Sequence, residues 1–475
     1  MNIIINADCT GTGPIDLKLD SYIAKNVLPY YANTHSDAMC SEIMATMIEE
    51  SRTIIKAQCG VGEDYGLIFT GQGMTGAARH LAHMINGIDY IIYSILEHVS
   101  NSSLWETLYP KAKVSIVGVE ELNKFIIDKN KLSHEIQNVL ENHSKIKKHS
   151  VLFIALTACS NVVGCIQPIH VLTDIIDSFR KQSLVLGVTI ITCIDCAACA
   201  PYIPLQHICH GNDAILISPH KFKGGYSTPG VLLVKKDIMN RTVCPFFPGG
   251  GTVWYKDSSV CNKFLLDVEH REEGGTPNII GIIRTGLIFT CKFLKQQYIL
   301  QKNKQIIRYV DKFFKRILHE QHHLHMYTPI GKYQNRRLPI YSFHIKNTHP
   351  GLFVKILSDE YGIQTRSGVS CCYMLAEHLC RVDKHTRKFI LSGKGTPNNY
   401  GWVRVSFHYD FTTNDINYTL SALQQLIHDM QTDQYDAYLN KYIHSKTNNK
   451  WYKYNDDKKI HSIVKNVFAN VSSEI

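Results

Sequence analysis

The sequence predicts a large three-layer α/β domain with a mostly parallel sheet, followed by a smaller C-terminal α+β domain. Three observations carry that prediction. Continuously apolar, β-branched runs alternate with helical patterns from about residue 65 to about residue 240, as expected for strands covered on both faces. A glycine-rich turn at the end of the first of these runs opens directly into a helical pattern. The chain has 475 residues, more than one ordinary core organises.

Taken in order, the strand candidates are Leu67–Thr70, Val114–Val119, Val151–Thr157, Val188–Asp195, Ala214–Ser218 and Val231–Val234. Between the first two, Thr75–Ile85 places Ala78, Leu81, Ala82 and Ile85 on one helical face. After Gly249-Gly250-Gly251 and the segment Glu269–Asn278, a long helical pattern starts near Ile279. It runs past Lys304 toward His319. Strands at Leu338–Ile345 and Trp402–Phe407, with helices near Leu352–Tyr361 and Asp415–Met430, give the second domain its α+β composition. The expected organisation is an N-terminal arm and helices over 1–60, the large α/β domain over 61–290, the small domain over 291–430 and a polar, Lys- and Tyr-rich tail over 431–475.

Composition narrows the class. With 44% hydrophobic and 19% charged residues, the chain reads as a soluble globular protein. No apolar run approaches the ~20 residues that a membrane-spanning helix needs, and Met1–Asn6 lacks the length and basic flank of a secretory signal. An intracellular, cytoplasmic location follows as the expectation, and with it free thiols for the 15 cysteines. The net charge of +10 is spread along the chain without a helix-turn-helix or aromatic RNA-binding signature. It reads as a solvated basic surface and not as a nucleic-acid footprint.

The chemistry-bearing stretches come next. Leu67–Ala77 ends a strand in Gly71-Gln72-Gly73-Met74-Thr75-Gly76, where backbone N–H groups and a helix dipole converge on a point suited to phosphate. It is neither a Walker loop nor a dinucleotide fingerprint. Asp195 ends an apolar strand, and Ser218-Pro219-His220-Lys221 follows the next one. A buried carboxylate needs a cation. Asp195 and Lys221 satisfy each other as a plain ion pair, or they serve a shared group, with Asp195 on a protonated pyridine nitrogen and Lys221 as a Schiff-base lysine.

Phe69–Ala77, Glu97-His98, Ser160–Gly164, Ile194-Asp195, Ser218–Lys221 and Gly275-Thr276-Pro277-Asn278 stand in an order and spacing that resemble the motifs of class V aminotransferases. The resemblance is to the cysteine desulfurase/selenocysteine lyase branch and extends from about Asp8 to Ile427. It implies a fold-type I pyridoxal phosphate enzyme, with cofactor in the large domain and a homodimer with shared sites. It implies that Lys221 is the aldimine lysine, Asp195 the partner of the pyridinium, and His98 the residue stacked on the ring. Asn161 is implied beside the ring hydroxyl and the substrate. Gly73, Met74, Thr75, Ser218 and His220 are implied to hold the phosphate, with Thr276 lent to the partner subunit's phosphate.

Thr365–Tyr373 and Trp402–Phe407 are similar to the family's Arg…Cys loop and Arg-x-Ser strand. Arg404, assisted by Arg366, is then the clamp for an amino-acid carboxylate, since a guanidinium fork gives two parallel hydrogen bonds. Cys371, or its neighbour Cys372, is the candidate nucleophile that takes sulfur from L-cysteine as a persulfide and passes it to an acceptor protein. The alternatives are another class V transamination or lyase step on an amino acid in which Cys371 is incidental, and a non-catalytic scaffold. Ala198 stands where the desulfurase pattern has a Gln, so no side chain there bonds the ring hydroxyl. Cys193-Cys196-Cys199 and His319-Glu320-Gln321-His322-His323 have metal-ligand spacing. The first straddles a strand end and the second lacks a third ligand, so neither is expected to bind metal.

Overall fold

The structure is a computed structural model. It describes residues 4–475 apart from 86, 122–123, 144–148, 257–262, 332–335, 381–383, 393–400, 446–449, 455 and 470–475. Its centre is a seven-stranded sheet built from β1 (Tyr65–Thr70), β2 (Tyr90–Ser94), β3 (Lys113–Val117), β4 (Ser150–Thr157), β5 (Val188–Asp195), β6 (Ala214–Ile217) and β7 (Gly230–Lys235). The strand order is β1-β7-β6-β5-β4-β2-β3. The strands from β2 to β6 pair in parallel, and β7 runs antiparallel between β1 and β6. This is the α/β architecture that the apolar runs predict. All six predicted runs become strands, and Val188–Asp195 does so to the residue. The structure adds β2, which the sequence reading passed over because the strand is only five residues long and lies close to the polar Glu97-His98 stretch.

Both faces of the sheet are covered. The helix Gly73–Met84 buries Met74, Ala77, Ala78, Leu81 and Ala82 against one face, together with Ile91, Phe153 and Leu216. Burial extends beyond the single stripe expected of Thr75–Ile85, since His80 and Met84 are also enclosed. The opposite face packs Ile92, Ile154, Ile194 and Ile215 against helix Ile279–Leu294 and its neighbours. Cys193 lies in the first of these cores, whereas Cys196 and Cys199 lie in the second. The three sulfurs therefore do not converge.

The expected long helix after Ile279 is two helices, Ile279–Leu294 and Gln296–Glu320, joined at Lys295. The second ends at Glu320, with the backbone N–H of Gln321 as its last bond. His319 and His323 thus do not share a helical face, and His323 Nε2 lies 3.2 Å from the carbonyl of Ile427.

The C-terminal part holds a four-stranded sheet in the order β8 (Leu324–Met326), β9 (Ile340–Ile345), β11 (Trp402–Ser406) and β10 (Arg366–Gly368). Helices Pro350–Tyr361 and Thr413–Asp429 pack on it around Tyr341, Phe343, Phe353 and Leu423. Ile5 and Ala7 belong to the same core. Ile5–Asn6 pairs in parallel with Ile363–Gln364, and the N–H of Ser406 donates to the carbonyl of Ala7 at 2.7 Å. Within the tail, Tyr442–Ser445 and Lys450–Lys453 form a hairpin. Tyr442 is buried in the second core, and Trp451 Nε1 donates to His349 Nδ1 at 3.1 Å. Among the described residues no helix is long and apolar enough to cross a membrane.

Candidate active site

Parallel strands deliver their C-terminal ends to one place, the usual position of a site in an open α/β sheet. Here the pairing puts Thr157 of β4 beside Asp195 of β5, and Asp195 beside Leu216 of β6. Ser218 and the single turn Pro219–Lys221 follow β6 directly. Above these ends lies a cavity of about 190 Å³ lined by Asp195, Lys221, His98, Asn161, Cys371 and Arg404, among others.

Asp195 is buried at 6% exposure, and its Oδ1 accepts the N–H of Ala197 at 2.8 Å. Burial raises its pKa, while Lys221 and the Ala197 N–H oppose that shift. Lys221 faces the same cavity, and the protein packed around its ammonium lowers its pKa, with the Asp195 charge opposing. Among the described residues the two make no ion pair within 4.0 Å of each other, and no hydrogen bond is formed by the Lys221 ammonium. The plain ion-pair reading of these two groups therefore fails. They hold opposite charges across a gap.

At the other end, Gly73 begins its helix at φ +56°, a conformation that glycine adopts without the cost a side chain brings. A Cβ there would come within 3.2 Å of Ser218 Oγ and 3.3 Å of His220 Cδ2. The N–H of Met74 donates to Ser218 Oγ at 2.9 Å, and the hydroxyls of Thr75 and Ser100 lie 2.8 Å apart. No side chain caps this helix at Gln72. Its positive end is left facing the cavity. Burial, and then the charge of Lys221, pushes His220 down to about 4. It is a neutral hydrogen-bonding group at neutral pH.

His98 roofs the cavity from the loop after β2. Its Nδ1 accepts the N–H of Ser100 at 3.2 Å, which leaves the ring proton on Nε2. Burial and then the charges of Lys221, Arg404 and Arg366 push it down to about 4. Glu97 fastens this loop to the sheet. It accepts from the Ser94 hydroxyl at 2.6 Å, Asn101 Nδ2 at 2.7 Å and the Thr157 N–H at 2.9 Å.

The two cysteines separate. Ser370 and Cys371 both have positive φ, +52° and +57°, a strained pairing for residues other than glycine. The carbonyl of Cys371 accepts the N–H of Val99 at 2.8 Å, which ties the loop to the His98 segment. Cys371 is half-buried and lines the cavity. Cys372 is fully buried, and its thiol donates to Asn161 Oδ1 at 2.8 Å. Burial pushes its pKa far up. Asn161 Nδ2 donates to the carbonyl of Ser370 at 2.9 Å, so Asn161 is a clasp for the cysteine loop as well as a cavity wall.

Arg404, at 2% exposure, donates from one terminal nitrogen to the carbonyl of Asn161 at 3.0 Å and from the other to Asp8 Oδ1 at 2.6 Å. Its buried Nε has no partner among the described residues. Arg366 stands directly across the strand pair from Arg404 and also contacts Asp8, Nε to Oδ2 at 2.9 Å. The cavity thus gathers Met74, Thr75, His98, Asn161, Asp195, Ser218, His220, Lys221, Arg366, Cys371 and Arg404. Gly73 is buried between the lining residues Gln72 and Met74 and is not itself part of the lining. Cys372 sits behind the wall, and Thr276 is on an exposed turn outside it, with Asn33 Nδ2 donating to its hydroxyl at 3.3 Å. Ala198 lines the cavity with a methyl group. Sequence reasoning missed Asp8, Thr10, Ser100 and Cys159. Nothing local marks them, because β11 and the strand ends bring them in from far along the chain.

The family model for aminotransferase class V matches residues 5–419. The chain belongs to that family. Its similarity to a "Probable cysteine desulfurase" of Pyrococcus abyssi is 25% identity over 439 residues, 91% of this chain and 96% of the relative. A protein of the same description from Borreliella burgdorferi is also 25% identical, over 84% of this chain and 86% of its own length. Among solved structures, the apo cysteine desulfurase of Thermococcus onnurineus NA1 superposes with a TM-score of 0.70 at 20% identity, covering 90% of this chain and 95% of that one. A NifS-like protein from Rickettsia africae gives 0.65 at 18% identity, over 90% and 100%. The fold is the fold-type I architecture of pyridoxal phosphate enzymes, and the family makes the chain a class V enzyme of that kind.

The residues present fit that cofactor. Asp195 is buried and Lys221 half-buried, and these opposite charges do not neutralise each other directly, an expensive arrangement unless a group lies between them. Pyridoxal phosphate would supply that group, with Asp195 holding its ring nitrogen and Lys221 its aldehyde. The uncapped helix end at Gly73, with the hydroxyls of Thr75 and Ser218, matches a phosphate. His98 presents a neutral ring to the same space.

Proposed function

We propose that this chain is a cysteine desulfurase-like enzyme that removes sulfur, or selenium, from L-cysteine or its selenium analogue. The observation that carries the reading is one cavity with a half-buried Lys221 that makes no ion pair among the described residues, a reachable Cys371 thiol and the Arg404 guanidinium on its walls. The names of the similar proteins support it further.

Pyridoxal phosphate, when bound, supplies an electron sink for the bonds at the substrate Cα. Asp195 would hold its ring nitrogen in the charged form, His98 would stack on the ring, and Gly73, Met74, Thr75, Ser218 and His220 would bind the phosphate. Lys221 would hold the cofactor, and its amine would be free to act on the substrate once an amino acid is bound. Burial lowers the pKa of its ammonium, which suits the freed amine to take the Cα proton. Arg404, with its unpartnered Nε, orients the substrate carboxylate, and Asn161 holds the cysteine loop against the bound amino acid. Cys371, as thiolate, attacks the substrate sulfur. The S–S bond forms as the Cβ–S bond breaks, the electron pair of that bond returns to carbon, and a proton completes alanine. The sulfur stays on Cys371 for an acceptor protein. Cys372 is held as a buried thiol and takes no part. The exposed turn at Thr276 is assigned to a partner subunit's phosphate site in a homodimer.

A second class V reaction is favoured by one feature. Ala198 lines the cavity where a side chain that bonds the ring hydroxyl would assist desulfuration. Cys371→Ser distinguishes the two readings. Loss of protein-bound persulfide and of alanine formation from L-cysteine supports desulfuration. Unchanged turnover in that variant, with keto acid as product, overturns it in favour of transamination.

A further inference from the structure

Arg366 and Arg404 are directly opposite each other on adjacent antiparallel strands, β10 and β11. Like charges in that relation repel and destabilise the sheet. The structure answers this with one carboxylate. Asp8 divides its oxygens, Oδ1 taking Arg404 at 2.6 Å and Oδ2 taking Arg366 at 2.9 Å. Asp8 does not itself line the cavity, whereas both arginines do. Its position is fixed by backbone on both sides. Ile5–Asn6 pairs with Ile363–Gln364, Ala7 accepts the N–H of Ser406, and the hydroxyls of Thr10 and Ser406 lie 2.7 Å apart. Gly11 closes over the group. A Cβ there would stand 2.6 Å from a terminal nitrogen of Arg366 and 2.8 Å from Asp8 Oδ2.

Two guanidiniums and one internal carboxylate leave a single net positive charge at this end of the site. We infer that Asp8 is a specificity-determining positioning residue: it sets the arginine pair to accept one carboxylate and disfavours amino acids that carry a second. Amino acids with a neutral side chain, such as cysteine and alanine, satisfy the remaining charge. A diacid brings an anion that Arg366, already paired with Asp8, does not neutralise, and whose charge Asp8 itself repels at short range. The inference rests on the reading that Arg404 receives the carboxylate of an amino acid.

The test is calorimetric binding of L-alanine and L-aspartate to the cofactor-loaded protein and to Asp8→Asn, with Arg404→Gln as the control for the clamp. Asn keeps the size and one accepting oxygen of Asp. Wild-type protein is expected to bind L-alanine more tightly than L-aspartate, and Asp8→Asn to shift that ratio toward L-aspartate on the order of tenfold. An unchanged ratio overturns the role of Asp8, and so does equal weakening of both ligands, which a merely structural residue would give. L-Alanine binding that ignores Arg404→Gln overturns the carboxylate-clamp reading and the Asp8 inference with it. Where Asp8→Asn fails to fold, the ratio is read in Asp8→Asn/Arg366→Gln. The double variant restores one net positive charge, and the inference predicts a return toward the wild-type preference. An aspartate-preferring double variant contradicts it.

Discussion

Replacing Asp195 by Asn separates the cofactor-binding role of this carboxylate from its place in the fold. Asp195 is 6% exposed, accepts one backbone bond from Ala197 at 2.8 Å and lies beyond ion-pair distance of Lys221 among the described residues. Asn retains an oxygen for the Ala197 N–H, so the strand end keeps its hydrogen bond. It also removes a charge whose burial is unfavourable while no cation is paired directly with it. The apo variant should therefore be as stable as the wild type, or more so. With cofactor the balance reverses. Breaking a buried ion pair costs about 3–5 kcal/mol, which is roughly a hundredfold or more in affinity at ~1.4 kcal/mol per tenfold. Titration of apo protein with pyridoxal phosphate, followed by absorbance and fluorescence, measures that ratio, and thermal unfolding of the apo forms measures the other half. Equal cofactor affinity in the two proteins would refute the assignment of Asp195 to the ring nitrogen. A matching loss of apo stability would show that the residue serves the fold and not the ligand.

Two further outcomes follow from the same geometry. Cys372→Ala removes the thiol that donates to Asn161 Oδ1 at 2.8 Å and leaves a small void. Stability should fall by about 1–3 kcal/mol while persulfide still forms on Cys371; its absence in this variant would reassign the nucleophile. Glu97 gives a pH signature, since burial raises its pKa to about 8 from an ordinary 4.5. The folded chain keeps the proton up to about pH 8, and the unfolded chain releases it near 4.5. Its contribution to stability is thus full below the lower value and is lost as pH rises through the upper one. Urea unfolding at several pH values should show Glu97→Gln with a flatter decline than wild type over that interval, and parallel curves would contradict it.

The strands covered on both faces were readable because burial on two sides leaves only apolar residues to choose from, as in Val188–Asp195. The same rule failed at Tyr90–Ser94, where a run of five residues ending in a serine is too short to stand out beside the polar loop that follows. The break at Lys295 was illegible because neither glycine nor proline marks it; the chain turns there by packing. The tail read as an appendage because Tyr442 and Trp451, its two anchors, sit among charged residues. Site residues on strand ends were legible, since Asp195, Lys221 and Arg404 are charges where packing calls for apolar groups. Asp8 carried no such signal. Its meaning comes from the pairing of Arg366 with Arg404, a relation that exists only once the strands are side by side. The sequence also left open which of Cys371 and Cys372 faces the cavity, because a loop with positive φ at two successive residues does not alternate like a strand.

The central claim is that Lys221 is the point of covalent attachment for pyridoxal phosphate. Borohydride treatment of the loaded protein, followed by peptide mass spectrometry, tests it most directly. The account predicts a reduced cofactor adduct on the peptide that contains Lys221, and none on any peptide of Lys221→Ala. An adduct on another lysine, or a wild-type protein that takes up no cofactor, contradicts it.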